Sequence, residues 1–499
     1  MKLRIPTYKE IHIAFENGEE AVLGLFSEVS QQVEELAIQL EKQSIALKEL
    51  QDKLSKNSQN SGKPPSTDGY NKPKRTESLR KRGQKPNGGQ PGHKGHTLKA
   101  TDSPEHRITH KVEYCENCCA SLKDVEASAY EERQVFDIPA IRIEVTAHQA
   151  EIKICPKCGQ ENKGEFPKNV KQPTQYGNEV KTWSAYFSNQ HFIPLERTAQ
   201  IFEDLLKQRV CEATVLNASE ELSKKISPSV EIVKEQLRKT DILNFDESGL
   251  RVKGSLHWLH SASTEQATHY EIHEKRGKEA MDECGILNDF KGKAIHDHWK
   301  PYFKYKDCGH ALCNAHHLRE LKFIEERYEQ SWSKEMSELL LEIKESVEET
   351  MQTSQEAESL PPRQLIEFGR RYDEIVKKGI KANPCEESNE KDLQVKKRGR
   401  RKQTPAMNLL IRLRDFKAET LDFMYDFRVP FDNNLAERDV RMVKVKQKVS
   451  GNFRTVEGAR CFGRIRGYIS TARKNAVNVF KAIRDAFCEN PFIPSLESQ

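Results

Sequence analysis

The chain has 499 residues, enough for about two to four domains, and is polar, with 36% hydrophobic against 31% charged residues. Its net charge of +5 is too small to imply an acidic partner, but the positive charge is clustered in 56–100, in KKRGRRK at 396–402 and through 438–481, as suits a polyanion. No apolar run is long enough to span a membrane, and the opening MKLRIPTYKE lacks the apolar core of a secretory signal; a cytoplasmic protein is expected, with its 12 cysteines as metal ligands or reduced core residues.

Residues 1–55 predict an N-terminal coiled-coil helix. Val22, Phe26, Val29, Val33, Leu36, Leu40, Leu47, Leu50 and Leu54 recur at three- and four-residue spacing, with Gln43 the one polar interruption. A seam of this period has no partner within its own segment, so a homo-oligomer is the direct expectation. An amphipathic helix packed on its own chain is the alternative. Residues 56–110 are rich in Ser, Asn, Gly, Pro and Lys and read as a basic flexible linker, suited either to DNA phosphates or to a solvated tether.

Residues 111–165 predict a zinc ribbon. Cys115 and Cys118 form one C-x-x-C, Cys155 and Cys158 another, and four thiolates close a tetrahedral structural Zn²⁺ site. Between them IRIEVTA at 141–147 and AEIKI at 150–154 alternate like the strands of a hairpin. Cys119 is a spare thiol able to replace Cys118. Residues 170–240 are helical, and 193–226 reads as helix, short turn, helix. That pattern fits a DNA-reading helix-turn-helix or a plain bundle.

From 241 the texture changes. Three consecutive strands, a helix, a strand, a short connection, a fifth strand and a helix fill 241–320. This order matches the mixed sheet of a ribonuclease-H-like core. Charged helical sequence then fills 321–425, a helical insertion interrupted by the low-complexity stretch SNEKDLQVKKRGRRKQ. The core resumes over 426–490, so the chain as a whole is expected to be multidomain α/β.

Three acids lie at telling places in that core: Asp246 on its first strand, Asp297 at the end of its fourth, and Glu437 on a helix after the insertion. Strand ends from neighbouring strands converge at one sheet edge, and a helix packed there can add the third. Three hard oxygen ligands with open positions suit Mg²⁺ or Mn²⁺. Two such ions about 3.5–4 Å apart can activate an attacking water and stabilise a leaving 3′ oxygen. A bland alternative is a surface helix with Asn433 or Asn434 as N-cap and Glu437 paired to Arg441. Glu247 adjoins Asp246 but should face the other side of the sheet. Asp432 suits a helix cap. Cys313 and His316 form a C-x-x-H that fits either a zinc site with Cys308 and His310 or packing beneath the acids. Arg438, Arg441, Lys444, Lys446 and Lys448 follow Glu437 as a bed for DNA phosphates.

At this point the sequence resembles the insertion sequence 66 family of DDE transposases, over nearly its whole length. The resemblance rests on LSKNSQNSGKPPS and GGQPGHKGHTL, the paired C-x-x-C motifs, IPLERTAQIF, DESG at 246–249, HDHWKPYF at 296–303, CNAHHLREL at 313–321 and DNNLAER at 432–438. It implies a DNA transposase that cuts transposon ends and joins the 3′ hydroxyls to target DNA by two-metal phosphoryl transfer, with Asp246, Asp297 and Glu437 as its triad. Partners implied are transposon-end and target DNA, and accessory proteins of the same element. The run KQKVSGNFRT is less regular than the family's basic-aromatic segment. A nuclease of the same fold without strand transfer, and a non-catalytic DNA-binding regulator, are the alternatives.

Overall fold

A computed structural model describes residues 5–57, 59–61, 98–354, 356–384 and 403–495. Residues 62–66 of the motif LSKNSQNSGKPPS, nearly all of GGQPGHKGHTL and nearly all of the stretch 388–403 lie outside the described residues. The chain divides into two compact units: one drawn from Met1–Arg75, Tyr176–Thr198 and Glu212–Gln499, the other from Thr76–Gln175 and Ala199–Cys211.

Helix α1 (Tyr8–Glu16) starts at a capping box between Thr7 and Glu10. Helix α2 (Glu19–Ser55) follows as one unbroken rod of 37 residues and buries none of its side chains. Of the seam positions, Val33 is 51% exposed, Leu40 and Leu47 59% and Leu54 84%. The far end of α2 is tied down: Asp52 accepts from Arg327 Nε (3.0 Å) and from the Tyr328 hydroxyl (2.5 Å).

In the second unit, strands β1 (Ile152–Ile154) and β2 (Glu161–Lys163) pair antiparallel across the Cys155–Cys158 turn. The hairpin expected between the two cysteine pairs is therefore built on the second pair itself. Residues 141–147 form no strand, and Val145 is 93% exposed. Their alternation is a strand signal only where a neighbouring strand takes up the backbone groups.

Helices α3 (Asn178–Ala185, running into a π-turn at Tyr186–Gln190), α4 (Leu195–Leu206), α5 (Glu212–Lys225) and α6 (Ser227–Leu237) occupy the stretch expected to be helical. The turn between α4 and α5 contains Lys207 in a left-handed conformation. Then comes the sheet: β3 (Ile242–Val252), β4 (Ser255–Ser263), β5 (Thr268–His273), helix α7 (Lys278–Cys284), β6 (Lys293–His296) and β7 (Gly309–Leu312). The strands lie in the order β5-β4-β3-β6-β7, with β4 antiparallel to both β3 and β5, β6 parallel to β3 and β7 parallel to β6.

Side chains of β3 alternate as a strand buried on both faces must. Leu243 and Phe245 join Val233, Met281 and Tyr302 on one face; Leu250 and Val252 join Val440, Val443 and Phe462 on the other. Helices α8 (Asn314–Tyr328), α9 (Ser331–Thr353), α10 (Pro362–Ala382), α11 (Pro405–Asp415) and α12 (Lys417–Tyr425) fill the expected insertion. It is no separate body. One apolar cluster runs from Ile295 and Ala311 of the sheet through Trp332, Tyr372, Leu410 and Phe423, and the Asn314 amide donates to Thr420 O (2.9 Å). Helices α13 (Asn434–Ser450), α14 (Val456–Lys474) and α15 (Val479–Phe487) close the fold.

Gly292 opens β6 where that strand leaves β3. A Cβ there would lie 2.3 Å from Asp241 O and 2.6 Å from Thr240 O, both backbone atoms that cannot swing away. The parallel pairing that carries Asp297 to the sheet edge starts at this contact, with Ile242 opposite Lys293. Gly292→Ala is expected to cost roughly 1–3 kcal/mol by overpacking, read as a lowered denaturant midpoint with unchanged slope. An unchanged midpoint would mean the β3–β6 junction has slack.

Candidate catalytic site

The first acid lies midway along β3. Asp246 projects to the face shared with α13, and its Oδ1 accepts the N–H of Glu247 (2.9 Å). Its carboxyl is raised well above the usual range, first by burial and then by Glu247, Asp297 and Glu437. That list of causes is itself a map: three further carboxylates lie close enough to oppose its ionisation.

Asp297 follows the last residue of β6. Its Oδ1 accepts the Trp299 N–H (3.1 Å), and His298 between them is in the left-handed region at φ 68°. This conformation is costly for a residue with a Cβ. Glu437 stands in the first turn of α13. It accepts from Arg319 Nη2 (3.3 Å) of α8 and lies 3.8 Å from His316 Nδ1. Its partner is thus across the site and not Arg441 on its own helix.

Asn433 fixes α13 against the sheet. This residue holds the N-cap position, but its side chain caps nothing. Its Oδ1 accepts from the Asn244 amide (2.8 Å), its own amide donates to Phe245 O (2.7 Å), and its backbone N–H points to Cys313 Sγ (3.1 Å). Asp432 takes over the cap, accepting the Asn434 N–H at 3.0 Å.

Several participants were not legible in the spacing of the acids. Glu247 does face away from Asp246, yet it belongs to the same electrostatic group. Its side chain is 1% exposed, bonded to the Tyr302 hydroxyl and to Arg276 Nη2 (3.1 Å). Burial and Asp297 push its carboxyl up to about 7. Arg276 lies 4.0 Å from the Trp299 ring and 4.8 Å from Trp258, and reaches within 3.9 Å of Asp297. It joins the two faces of the sheet edge electrically. The motif CNAHHLREL did carry a signal, since Cys313, His316 and Arg319 fall at helical three-residue spacing.

The basic residues of α13 divide. Arg438, Arg441 and Lys448 are exposed. Lys444 turns inward and donates to Gly249 O, beside Asp246, and burial holds both it and half-buried Lys446 below the ordinary lysine value.

In the second unit, the two cysteine pairs have the same local design. Cys115 N–H donates to Ala120 O and Cys119 N–H to Cys115 O, both 2.9 Å; Cys155 N–H donates to Gln160 O and Gly159 N–H to Cys155 O, both 2.8 Å. Cys119 and Gly159 take the equivalent left-handed position, φ 56° and 73°. Cys119 is therefore the turn residue of its knuckle. The Cys115 thiol is lowered by the Cys118 and Asn117 backbone N–H groups and by the Cys118 thiol, and Cys155 likewise by Cys158 and Lys157. Each pair is thus prepared for thiolate chemistry. Among the described residues, however, only Cys313, His316 and Glu437 bring three metal-binding atoms within 4.8 Å of one another.

Comparison with protein-family models gives three matches. The Transposase IS66 family matches residues 173–461, the zinc-finger binding domain of transposase IS66 matches 113–159, and a family of unknown function (DUF6444) matches 19–99. The zinc-finger match spans all four knuckle cysteines and supports a structural Zn²⁺. No curated protein matches the chain. Among the described residues no helix is long and apolar enough to cross a membrane.

Glu247 makes the site's cost measurable. Unfolded, it keeps its proton only below about 4.5; folded, it keeps it up to about 7. Between these values the folded state binds more protons, so stability falls as pH rises from 4.5 through 7, by on the order of 3 kcal/mol. Glu247→Gln removes that loss. In chelator, the unfolding free energy of the variant minus that of the parent is expected to rise across this window. A difference independent of pH would contradict the burial of this carboxylate.

Proposed function

The chain belongs to the IS66 family of transposases, and from that premise we propose that it cleaves transposon ends and joins their 3′ hydroxyls to target DNA at one site on a ribonuclease-H-like core. The observation that carries the reading is that Glu247, Asp297 and Glu437 all lie close enough to Asp246 to oppose its ionisation, on top of its burial. Among the described residues no lysine or arginine forms an ion pair with Asp246, whose charged form burial opposes. A hard oxygen donor set short of positive charge fits Mg²⁺ or Mn²⁺. The strand order β5-β4-β3-β6-β7, with β4 antiparallel to its neighbours, supports the fold assignment.

Asp246, Asp297 and Glu437 would hold the ions. Divalent cations there would supply activation of the attacking oxygen and neutralise charge on the leaving one. The chain's own part is placement. Arg276 steadies Asp297, Arg319 and His316 steady Glu437, and Lys444 offsets part of the charge of Asp246. Exposed Arg438, Arg441 and Lys448 extend along the same helix as phosphate contacts, with Lys444 and Lys446 contributing more to the site's potential than to direct contact. Cys115, Cys118, Cys155 and Cys158 would close the zinc site when the two prepared knuckles meet around the ion. Its binding would drive that closure. The α2 seam fits a second copy of this chain.

Two measurements test this. Glu437→Gln keeps size and helix propensity but removes a charged ligand. Mg²⁺-dependent cleavage and strand joining are expected to be lost, with binding to the element's own end DNA retained; full cleavage would remove Glu437 from the triad. Hydrolysis without joining of a precut 3′ end would instead identify a nuclease. Lys448→Ala should weaken binding to all sequences and lower the salt slope by roughly 0.9 if it neutralises one phosphate. Separately, Leu40→Asp is expected to reduce the oligomeric state of the full chain in sedimentation, since a charge in the seam is desolvated unpaired. An unchanged sedimentation profile would reject the seam as the interface.

A further inference from the structure

Beside the carboxylates lies a second set of ligand atoms that the reading above uses only for support. Cys313 is the N-cap residue of α8, held there by its N–H to His296 O (3.0 Å). Its sulfur accepts the Asn433 N–H at 3.1 Å, a contact that works against the burial and the nearby Glu437 carboxylate, which push this thiol up to about 12 in the absence of a cation. One turn on, His316 Nδ1 is buried without a hydrogen-bond partner, 3.8 Å from Glu437 Oε1. A buried ring nitrogen left unbonded costs free energy unless something else meets it. The side chains of His316 and Glu437 are 23% and 20% exposed, so an ion has a way in.

The four-residue set with Cys308 and His310 does not form. Those residues flank or begin β7 and are engaged elsewhere, Cys308 with Tyr305 O and His310 with His296 and Tyr305 O. Cys313 lies past the other end of that strand.

We propose that Cys313, His316 and Glu437 bind one thiophilic divalent cation of the zinc class, in a site separate from the zinc-finger cysteines and sharing only Glu437 with the magnesium-type site. Sulfur, imidazole nitrogen and carboxylate oxygen together select zinc over magnesium, which avoids thiolate. With bonds of about 2.0–2.3 Å, donors around a tetrahedral zinc lie roughly 3.3–3.8 Å apart. The His316–Glu437 pair, at 3.8 Å, needs to close by only about half an ångström to meet the nitrogen–oxygen spacing, and all three donors fall within 4.8 Å. Three protein ligands leave a fourth position open. Arg319 holds the same Glu437 oxygen at 3.3 Å, so this cation and the arginine compete for it.

The consequence for catalysis rests on the role proposed for Glu437. A zinc ion drawing that carboxylate toward Cys313 takes it from Asp246 and Asp297, and the site becomes inhibited by zinc in the presence of magnesium.

The test is a zinc titration of the full chain in excess magnesium, against a chromophoric chelator, comparing the parent protein with His316→Ala and Cys313→Ala. The parent is expected to bind one more zinc per chain than either variant, with the zinc-finger ion present in all three. His316→Ala guards against a folding artefact, because Nδ1 has no hydrogen bond to lose; its thermal unfolding should match the parent. Equal zinc stoichiometry in parent and His316→Ala overturns the proposal. Cobalt substitution gives an independent reading: thiolate-to-cobalt absorption from the additional ion should disappear in Cys313→Ala, and its persistence there would also overturn it. These binding results do not depend on activity. Full cleavage by Glu437→Gln would overturn the catalytic role of Glu437 and leave the ion site standing.

Discussion

The burial of Asp246 and Glu247 beside Asp297 and Glu437 is the constraint around which the rest of the site is organised. Burial first, and the neighbouring acids after it, oppose the charged forms of Asp246 and Glu247. The fold offers compensation in unequal parts. Arg276 lies between Glu247 and Asp297, Arg319 bonds Glu437, and Lys444 sits beside Asp246 without pairing to it. Asp246 is left with the largest unmet demand, at the centre of the group. Stability given up here is characteristic of a functional site.

The cost is tolerable because the surroundings are stiff. Asn433 is buried and joins β3, the Cys313 corner and the start of α13 through three hydrogen bonds, so Glu437 cannot drift from Asp246 without breaking them. Tyr302, stacked on His296 with ring centroids 4.4 Å apart, supports Glu247 from below. The helices after β7 pack on the sheet through Ile295 and Ala311, which supports the strand that ends in Asp297.

Much of this was legible in the sequence. The order of strands and helices was readable because the apolar strands are bounded by polar turns; of the three acids, Asp297 and Glu437 lie at the end of a strand and the start of a helix, while Asp246 lies midway along β3. The opposite orientation of Asp246 and Glu247 followed from the two-residue period. What escaped was whatever depends on long-range packing. Nothing local marks Arg276 as the residue between two tryptophans, or Glu247 as buried. The alternation at 141–147 misled because period-two patterning reports a half-buried strand only if a neighbour exists. Cys119 looked like a spare ligand because a left-handed turn position is usually glycine, as at Gly159, and a cysteine there hides the geometry. Lys444 was counted with its basic neighbours, but helical periodicity turns it toward Gly249.

Helix α8 links two features that are otherwise remote. Its first two turns carry His316 and Arg319, both directed at Glu437, and its last turn carries Arg327 and Tyr328, both bonded to Asp52 at the end of α2. Fifteen residues at 1.5 Å each make a strut of roughly 22 Å. The tie to the long exposed rod and the tie to Glu437 are therefore opposite ends of one helix, whose middle packs into the apolar cluster through Leu321 and Ile324.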